Sequence, residues 1–329
     1  MAQTAMAMLL RLCLVLATLL LALPAPAQDF AGKTIAIVVP FTAGAVSDPL
    51  ARVIAPKLAE LLGANVIVEN RPGGNTNIGA VYVAKAQPDG RTLLFAGTGI
   101  TMNVAIYKDK LPFDPLRDFA PISLVSTSNS VLVVHPGLNV ATLGELIALL
   151  KSRPGALNYA SAGSGNMTHL VMEFFKLKSG TNIVHVPYRG AGPALNDVLA
   201  GHAAMMVISP GPTEAHVKAG RLRALAVTGL KRHDLLPEVP TFAELGLPMP
   251  EVDFGTTFGM LAPAGTPQAT LTTLHKALME VLTEPQMRQR IKSMGFEPSP
   301  TTPQQYGDIL REQVEKWPPL IERAGITLN

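Results

Sequence analysis

Cysteine occurs once in the 329 residues, at Cys13, and that scarcity removes whole classes of chemistry. Cys13 lies in an apolar leader, so once the leader is removed no thiol remains. Disulfides then cannot staple the fold, and thiolate metal sites and cysteine nucleophiles are excluded. Charged residues make up only 16% of the chain, and the 27 basic and 24 acidic side chains leave a formal charge of +3 with no Lys/Arg run. A balance so small and dispersed argues against a nucleic-acid partner. Nucleotide signatures are missing too: there is no G-K-[ST], and Met102 and Thr168 stand where a third dinucleotide-binding glycine would follow Gly97-Thr98-Gly99 and Gly163-Ser164-Gly165. Gly163-Ser164-Gly165 is flanked by Ala162 and Asn166, so it is not a G-x-S-x-G nucleophile elbow. No pair of the seven histidines has helical metal-ligand spacing with an acidic partner between. Neither a metal nor a cofactor is expected.

What is present is apolar. Hydrophobic residues form 48% of the chain, enough buried surface to offset the ordering entropy of a globular fold. The N-terminus reads as a cleavable secretory leader: Arg11, the run Leu12 to Leu23, then Ala25-Pro26-Ala27 as an A-x-A site. That run is shorter than the roughly 20 residues that span a bilayer. Cleavage is expected after Ala27, with export to a periplasm.

Beyond Asp29, short β-branched runs alternate with helical stretches between Gly, Pro and Asn punctuation, the rhythm of an α/β protein. Thr34 to Val39 reads as a strand, and Asp48 to Leu62 as a helix with Asp48 as N-cap and Gly63 as stop. Further strand and helix pairs follow to Phe95, and again from Leu157 to Thr228. Three late helical segments, from Thr266 to Ala324, have no strands between them and are expected to wrap the first lobe. Crossings near Ser123 to Val131 and Val252 to Gly259 would make a hinge. The expected division is a leader at 1–27, one lobe from 28–125 plus 254–329, and another from 126–253. Such a pair of lobes encloses a cleft at the carboxyl ends of its strands.

Three loops follow strands and precede helices. The first, Pro40 to Asp48, contains Phe41, Thr42, Gly44, Ala45 and Ser47, and leads its amides into a helix N-terminus. The second, Asn70 to Gly79, is dense in Gly and Asn around Asn75. The third, Ser161 to Asn166, offers Ser161, Gly163, Ser164, Gly165 and Asn166 ahead of a helix, with His169 one turn in and placed to orient the loop. Two such loops face to face could hold an anion by dipoles and hydrogen bonds, without a basic cluster. Trp317, the lone tryptophan, reads as core.

These loops carry a resemblance. PFTAGAVSDPLAR (Pro40 to Arg52), VENRPGGNTNIGA (Val68 to Ala80), YASAGSGNMTHL (Tyr159 to Leu170) and HVPYRGAGPALNDVLAG (His185 to Gly201) resemble, in order, the Bug family of periplasmic solute-binding proteins of tripartite tricarboxylate transporters. The resemblance runs from about Lys33 to Ile326. It implies a two-lobe α/β fold of the periplasmic binding protein type II kind, two doubly wound lobes hinged by two crossing strands. It also implies a small carboxylate clasped by the loops Phe41 to Asp48 and Ser161 to Asn166, with Asn75, Thr98, Tyr188 and Pro193 lining the remainder; His169 and Ser209 are further ligand-binding candidates.

Three positions depart from the family's habit. Ala45 replaces a glycine, Asn166 replaces Ser or Thr, and Ile208 stands where a carboxylate is common. Less acidity there favours an organic mono- or dicarboxylate with an apolar body over an amino acid. The expected protein is a monomeric receptor that delivers its ligand to integral membrane transporter subunits. Two alternatives remain: the same clamp as input to a membrane signalling protein, or a hydrolase pairing Ser161 or Ser164 with His169.

Overall fold

Burial of β-branched runs and the positions of capping residues lay out the chain in order. The computed structural model describes residues 30–44, 47–253 and 255–325; the leader, its cleavage site and Ala45 lie outside them. The run TIAIVV forms β1 (Thr34–Val39), whose last three residues are fully buried. It is followed by α1 (Ser47–Leu62), β2 (Asn65–Asn70), α2 (Asn77–Ala84), β3 (Thr92–Gly97), α3 (Gly99–Tyr107) and β4 (Phe119–Ser128). The chain then passes to β5 (Val131–Val134), α4 (Leu143–Ser152), β6 (Asn158–Ser161), α5 (Met167–Ser179), β7 (Val184–Pro187), α6 (Ala191–Leu199), β8 (Met205–Ile208), α7 (Glu214–Lys218) and β9 (Arg223–Val227). It returns through β10 (Thr256–Pro263), α8 (Gln268–Thr283), α9 (Pro285–Ser293), β11 (Glu297–Pro298) and α10 (Pro303–Arg323).

Two mixed sheets result, ordered β11-β4-β10-β3-β1-β2 and β7-β6-β8-β5-β9. In the first, β1, β2 and β3 are parallel; in the second, β6, β7 and β8 are parallel. Each parallel set therefore directs its carboxyl ends, and the loops that follow them, toward one edge of its sheet. That is where an open α/β sheet offers a ligand its free amides.

The chain crosses between the sheets from β4 to β5 and from β9 to β10, and the crossings are bonded to each other. Ser130 N donates to Thr228 Oγ1 at 2.9 Å, and Thr228 N donates to the Ser130 carbonyl at 2.8 Å. Gly255, at φ +67°, lies so close that a Cβ would stand 2.4 Å from the Ser128 carbonyl oxygen. Only glycine fits both that backbone and that gap.

Two expectations change here. Asp48 is not the N-cap of α1, because the helix already includes Ser47, and the Asp48 carboxylate turns back onto the loop instead. Nor do the late helices serve the first sheet alone. In α10, Tyr306 and Leu310 pack with Val38 and Leu94, whereas Trp317 and Ile321 join Met102 and Ala105 of α3 in the core of the second sheet. The long amphipathic helix keeps one apolar stripe over 21 residues, long enough to reach both cores. Helix α3, which the sequence reading did not assign, is the other element shared in this way.

Candidate functional site

Loop geometry begins with the end of β1. Gly44 takes φ +76°, and its amide donates to Asp48 Oδ2 at 2.9 Å. Asp48 also accepts from Arg52 Nε at 3.0 Å and from Asn70 Nδ2 at 2.8 Å. Asn70, the last residue of β2, donates as well to the Phe41 carbonyl at 3.1 Å and accepts from Arg52 Nη2 at 2.8 Å. Burial raises the Asp48 pKa, but the bonds from Arg52, Gly44 and Asn70 outweigh it and hold the carboxyl below its ordinary value. Asp48 is thus a loop staple, fully occupied by the protein's own donors. Its neighbour differs: Ser47 is 1% exposed, and its Oγ has no hydrogen-bond partner among the described residues. A buried hydroxyl in the first turn of a 16-residue helix is a ready donor to an anion.

The third loop is held from beneath. Asn166 caps α5, its Oδ1 accepting from His169 N at 3.1 Å and from Thr168 Oγ1 at 2.7 Å. His169 Nδ1 accepts from Gly165 N at 3.0 Å, which places the imidazole proton on Nε2, 3.8 Å from Glu173 Oε1. Burial, with His185 and Lys176 adding to it, pushes His169 down to about 3, so the ring is a neutral acceptor near pH 7. Behind it stand His185, stacked at 3.9 Å between centroids, and Tyr159, whose hydroxyl donates to Glu173. Lys176 Nζ donates to both Glu173 oxygens at 2.8 Å. His185 is half-buried and shares a 2.6 Å hydrogen bond with Ser161 Oγ.

The Ser161–His169 pairing needed for a hydrolase is therefore replaced by Ser161–His185, with Ser161 fully buried and also bonded to Gly163. Ser164 is half-buried on the same loop. Among the described residues no three His, Cys, Asp or Glu side chains come together as a metal site.

Contacts between loops of the two sheets set the cleft. Asn75 Nδ2 donates to the Gly165 carbonyl at 3.3 Å. A Cβ on Gly190 would stand 3.6 Å from Thr42 Oγ1, and one on Gly163 would stand 3.4 Å from the Tyr188 carbonyl. The loops after β1, β2, β6 and β7 are thereby gathered at one place.

Other lining candidates fall differently. Thr98 is 2% exposed, and its Oγ1 accepts from Thr257 N at 2.8 Å, joining β3 to β10. Tyr188 donates to Asp197 Oδ2 at 2.7 Å, a bond that pushes the phenol up to about 12. Pro193 is exposed on α6, and Ser209 is half-buried at the end of β8. Ile208 belongs to an apolar cluster with Val131 and Leu236; its side chain fills core. Sequence reasoning missed Asn103, which is fully buried on α3 and bonded to the second loop. It also passed over Arg189, exposed between Tyr188 and Gly190.

Comparison with known proteins then places the chain among receptors. The model of a family described as tripartite tricarboxylate transporter family receptor matches residues 50–326. Protein BugT of Bordetella pertussis is 33% identical over 315 residues, covering 95% of this chain and 96% of its own. Among solved structures, MatC from Rhodopseudomonas palustris with bound malate is 27% identical, with a TM-score of 0.79 over 88% of this chain and 99% of that one. R. palustris Rpa4515 with adipate is 33% identical, with a TM-score of 0.86 over 91% and 99%.

Proposed function

From the premise that this chain belongs to the tripartite tricarboxylate transporter receptor family, a family of solute-binding receptors and not of enzymes, we propose that it captures a small organic carboxylate between its two sheets. The observation that carries this reading is the meeting of the β1 and β2 loops with the β6 and β7 loops, from Thr42 to Gly190 and from Asn75 to Gly165. Two helix N-termini open on these loops, and their dipoles and amides favour a negative charge without a cationic cluster.

Residue roles follow from what is left free. Ser47 Oγ, Thr42, Ser164 and the loop amides near Phe41 and Gly163 would hold carboxylate oxygens, in part through ordered water. Asp48, Asn166, Ser161 and His169 would hold the loops in shape. Tyr188, Pro193 and Ser209 would border the ligand's body, and Arg189 would draw anions toward the mouth. In this reading the lobes are residues 28–125 with 254–329, and 126–253. The loops close on the ligand as a population shift driven by tighter binding to the closed form.

The protein acts in the periplasm after cleavage behind Ala27. It works as a monomer, and its closed form is recognised by integral membrane transporter subunits. Malate and adipate are the ligands of two relatives; an apolar-bodied mono- or dicarboxylate is the class proposed for this chain.

A thermal-shift screen tests the proposal, on protein from Gln28 onward that has been denatured and refolded to strip carried-over ligand. The panel holds mono-, di- and tricarboxylates, aromatic acids, aspartate and glutamate. A ligand at 100 times its dissociation constant adds about 2.7 kcal/mol, a shift of about 4 °C in a chain of this length. A response confined to one carboxylate class is expected. A flat response from folded protein would refute carboxylate capture, and tight aspartate or glutamate binding would refute the ligand class.

A further inference from the structure

The backbone of the second loop is strained at two adjacent positions. Asn75 and Thr76 are consecutive non-glycine residues at positive φ, +50° and +78°, and Thr76 is β-branched, the side chain least suited to that region. Strain of this kind persists only where the surroundings over-determine it, and it gathers at functional positions. Here the surroundings are α3. Asn103 Nδ2 donates to the Asn75 carbonyl at 2.6 Å and to Asn77 Oδ1 at 2.6 Å. Tyr107 Oη donates to the Gly74 carbonyl at 3.2 Å.

The strained turn aims one side chain across the cleft. Asn75 Nδ2 has two hydrogens, and both are used: one to Asn103 Oδ1 at 2.7 Å and one to the Gly165 carbonyl at 3.3 Å. Gly165 is fixed in turn, by the hydrogen bond its N–H donates to His169 Nδ1 and by Ile106 of α3, whose Cδ1 would stand 2.8 Å from a Cβ placed there. One carboxamide thus connects the turn after β2 to the loop after β6, with a buried asparagine setting its rotamer.

We propose that Asn75, oriented by Asn103, is a positioning residue that clasps the two ligand loops together and sets the balance between the closed and open cleft. This rests on the carboxylate-clamp reading above. The clasp adds a direct hydrogen bond to the closed arrangement, so a ligand needs less of its own binding free energy to close the lobes. It does not touch the ligand in this role; it acts through Gly165.

The test exploits a mature chain without cysteine. Spin labels at Gln87→Cys, exposed in the connection before β3, and Lys151→Cys, exposed on α4, report the distance between lobes by double electron–electron resonance in refolded protein without added ligand. Two changes are made at the clasp. Asn75→Gly suits the positive φ better than asparagine does and removes only the side chain. Asn75→Asp keeps the volume but loses both donors.

Each variant is expected to lower the ratio of short to long distances about fivefold, the size of one net hydrogen bond, while the Tm of Asn75→Gly stays at or above that of the parent. Distance distributions that match the parent in both variants would overturn the clasp. Since no ligand enters this experiment, that outcome leaves the thermal-shift screen as the separate judge of carboxylate capture.

Discussion

His169 and His185 lie face to face, their ring centroids 3.9 Å apart and their planes 9° from parallel, directly beneath the Ser161 to Asn166 loop. One ring holds the Gly165 amide and the other holds the Ser161 hydroxyl. The Gly165 contact therefore depends on the His169 ring staying neutral, since a protonated Nδ1 cannot accept. Burial is the main cause of the lowered pKa of each.

A pH dependence follows. His169 binds its proton near 6.5 when unfolded and near 3 when folded, so between those values the unfolded state holds more protons. Stability is full above 6.5 and falls as pH drops toward 3. Each tenfold difference in proton affinity is worth about 1.4 kcal/mol, so the loss across this window is a few kcal/mol. Melting temperature measured from pH 7.5 to 4 should fall steeply in the parent and less steeply in His169→Gln.

Asn166 is a cap, and capping sets the size of its effect. Asn166→Ala should lower stability by about 1 kcal/mol, read by urea unfolding. Asn166→Ser should stay within a few tenths of the parent, because a serine hydroxyl can accept the same His169 amide proton.

Asp48 is buried and carries donors from three residues. Asp48→Asn leaves Arg52 without its charge partner and Gly44 with a weaker acceptor. A loss of about 1–3 kcal/mol in chemical denaturation is expected, together with weaker carboxylate binding as the first loop loosens.

Trp317 is fully buried in the core that joins α10 to the second sheet, and its Nε1 donates to Thr101 Oγ1 at 3.1 Å. Trp317→Ala should cost about 3–5 kcal/mol. The same change in a protein whose lobes shared no core would unsettle one lobe only; here circular dichroism and urea unfolding should show a single transition displaced as a whole.

How much of this could be read in advance depended on whether the cause was local. The strand TIAIVV and the stop at Gly63 are set by nearby residues, and they stand where the sequence put them. The anion-type loops were visible because glycine and asparagine mark turns for backbone reasons. Asp48 was misassigned as a cap because an aspartate before proline looks the same whether it caps its own helix or folds back to Gly44. Asn103 and His185 carried no local signal: each matters through a distant partner, Asn75 28 residues away for one and Ser161 24 residues away for the other. Helix α3 was hidden because GITMNVAIY is apolar on every side, without the stripe that marks a helix at a surface. Two cores claim that helix, so it has no polar face to show.

The central claim is that loop dipoles and hydroxyls hold a carboxylate's charge. Isothermal titration calorimetry of the refolded chain, with the tightest carboxylate from the screen and with its methyl ester at the same pH, tests it most directly. The account expects the acid to bind with one-to-one stoichiometry and the ester at least tenfold more weakly, since an ester cannot present an anion to Ser47 and the loop amides. Equal binding of the two, or binding of neither by folded protein, would contradict it.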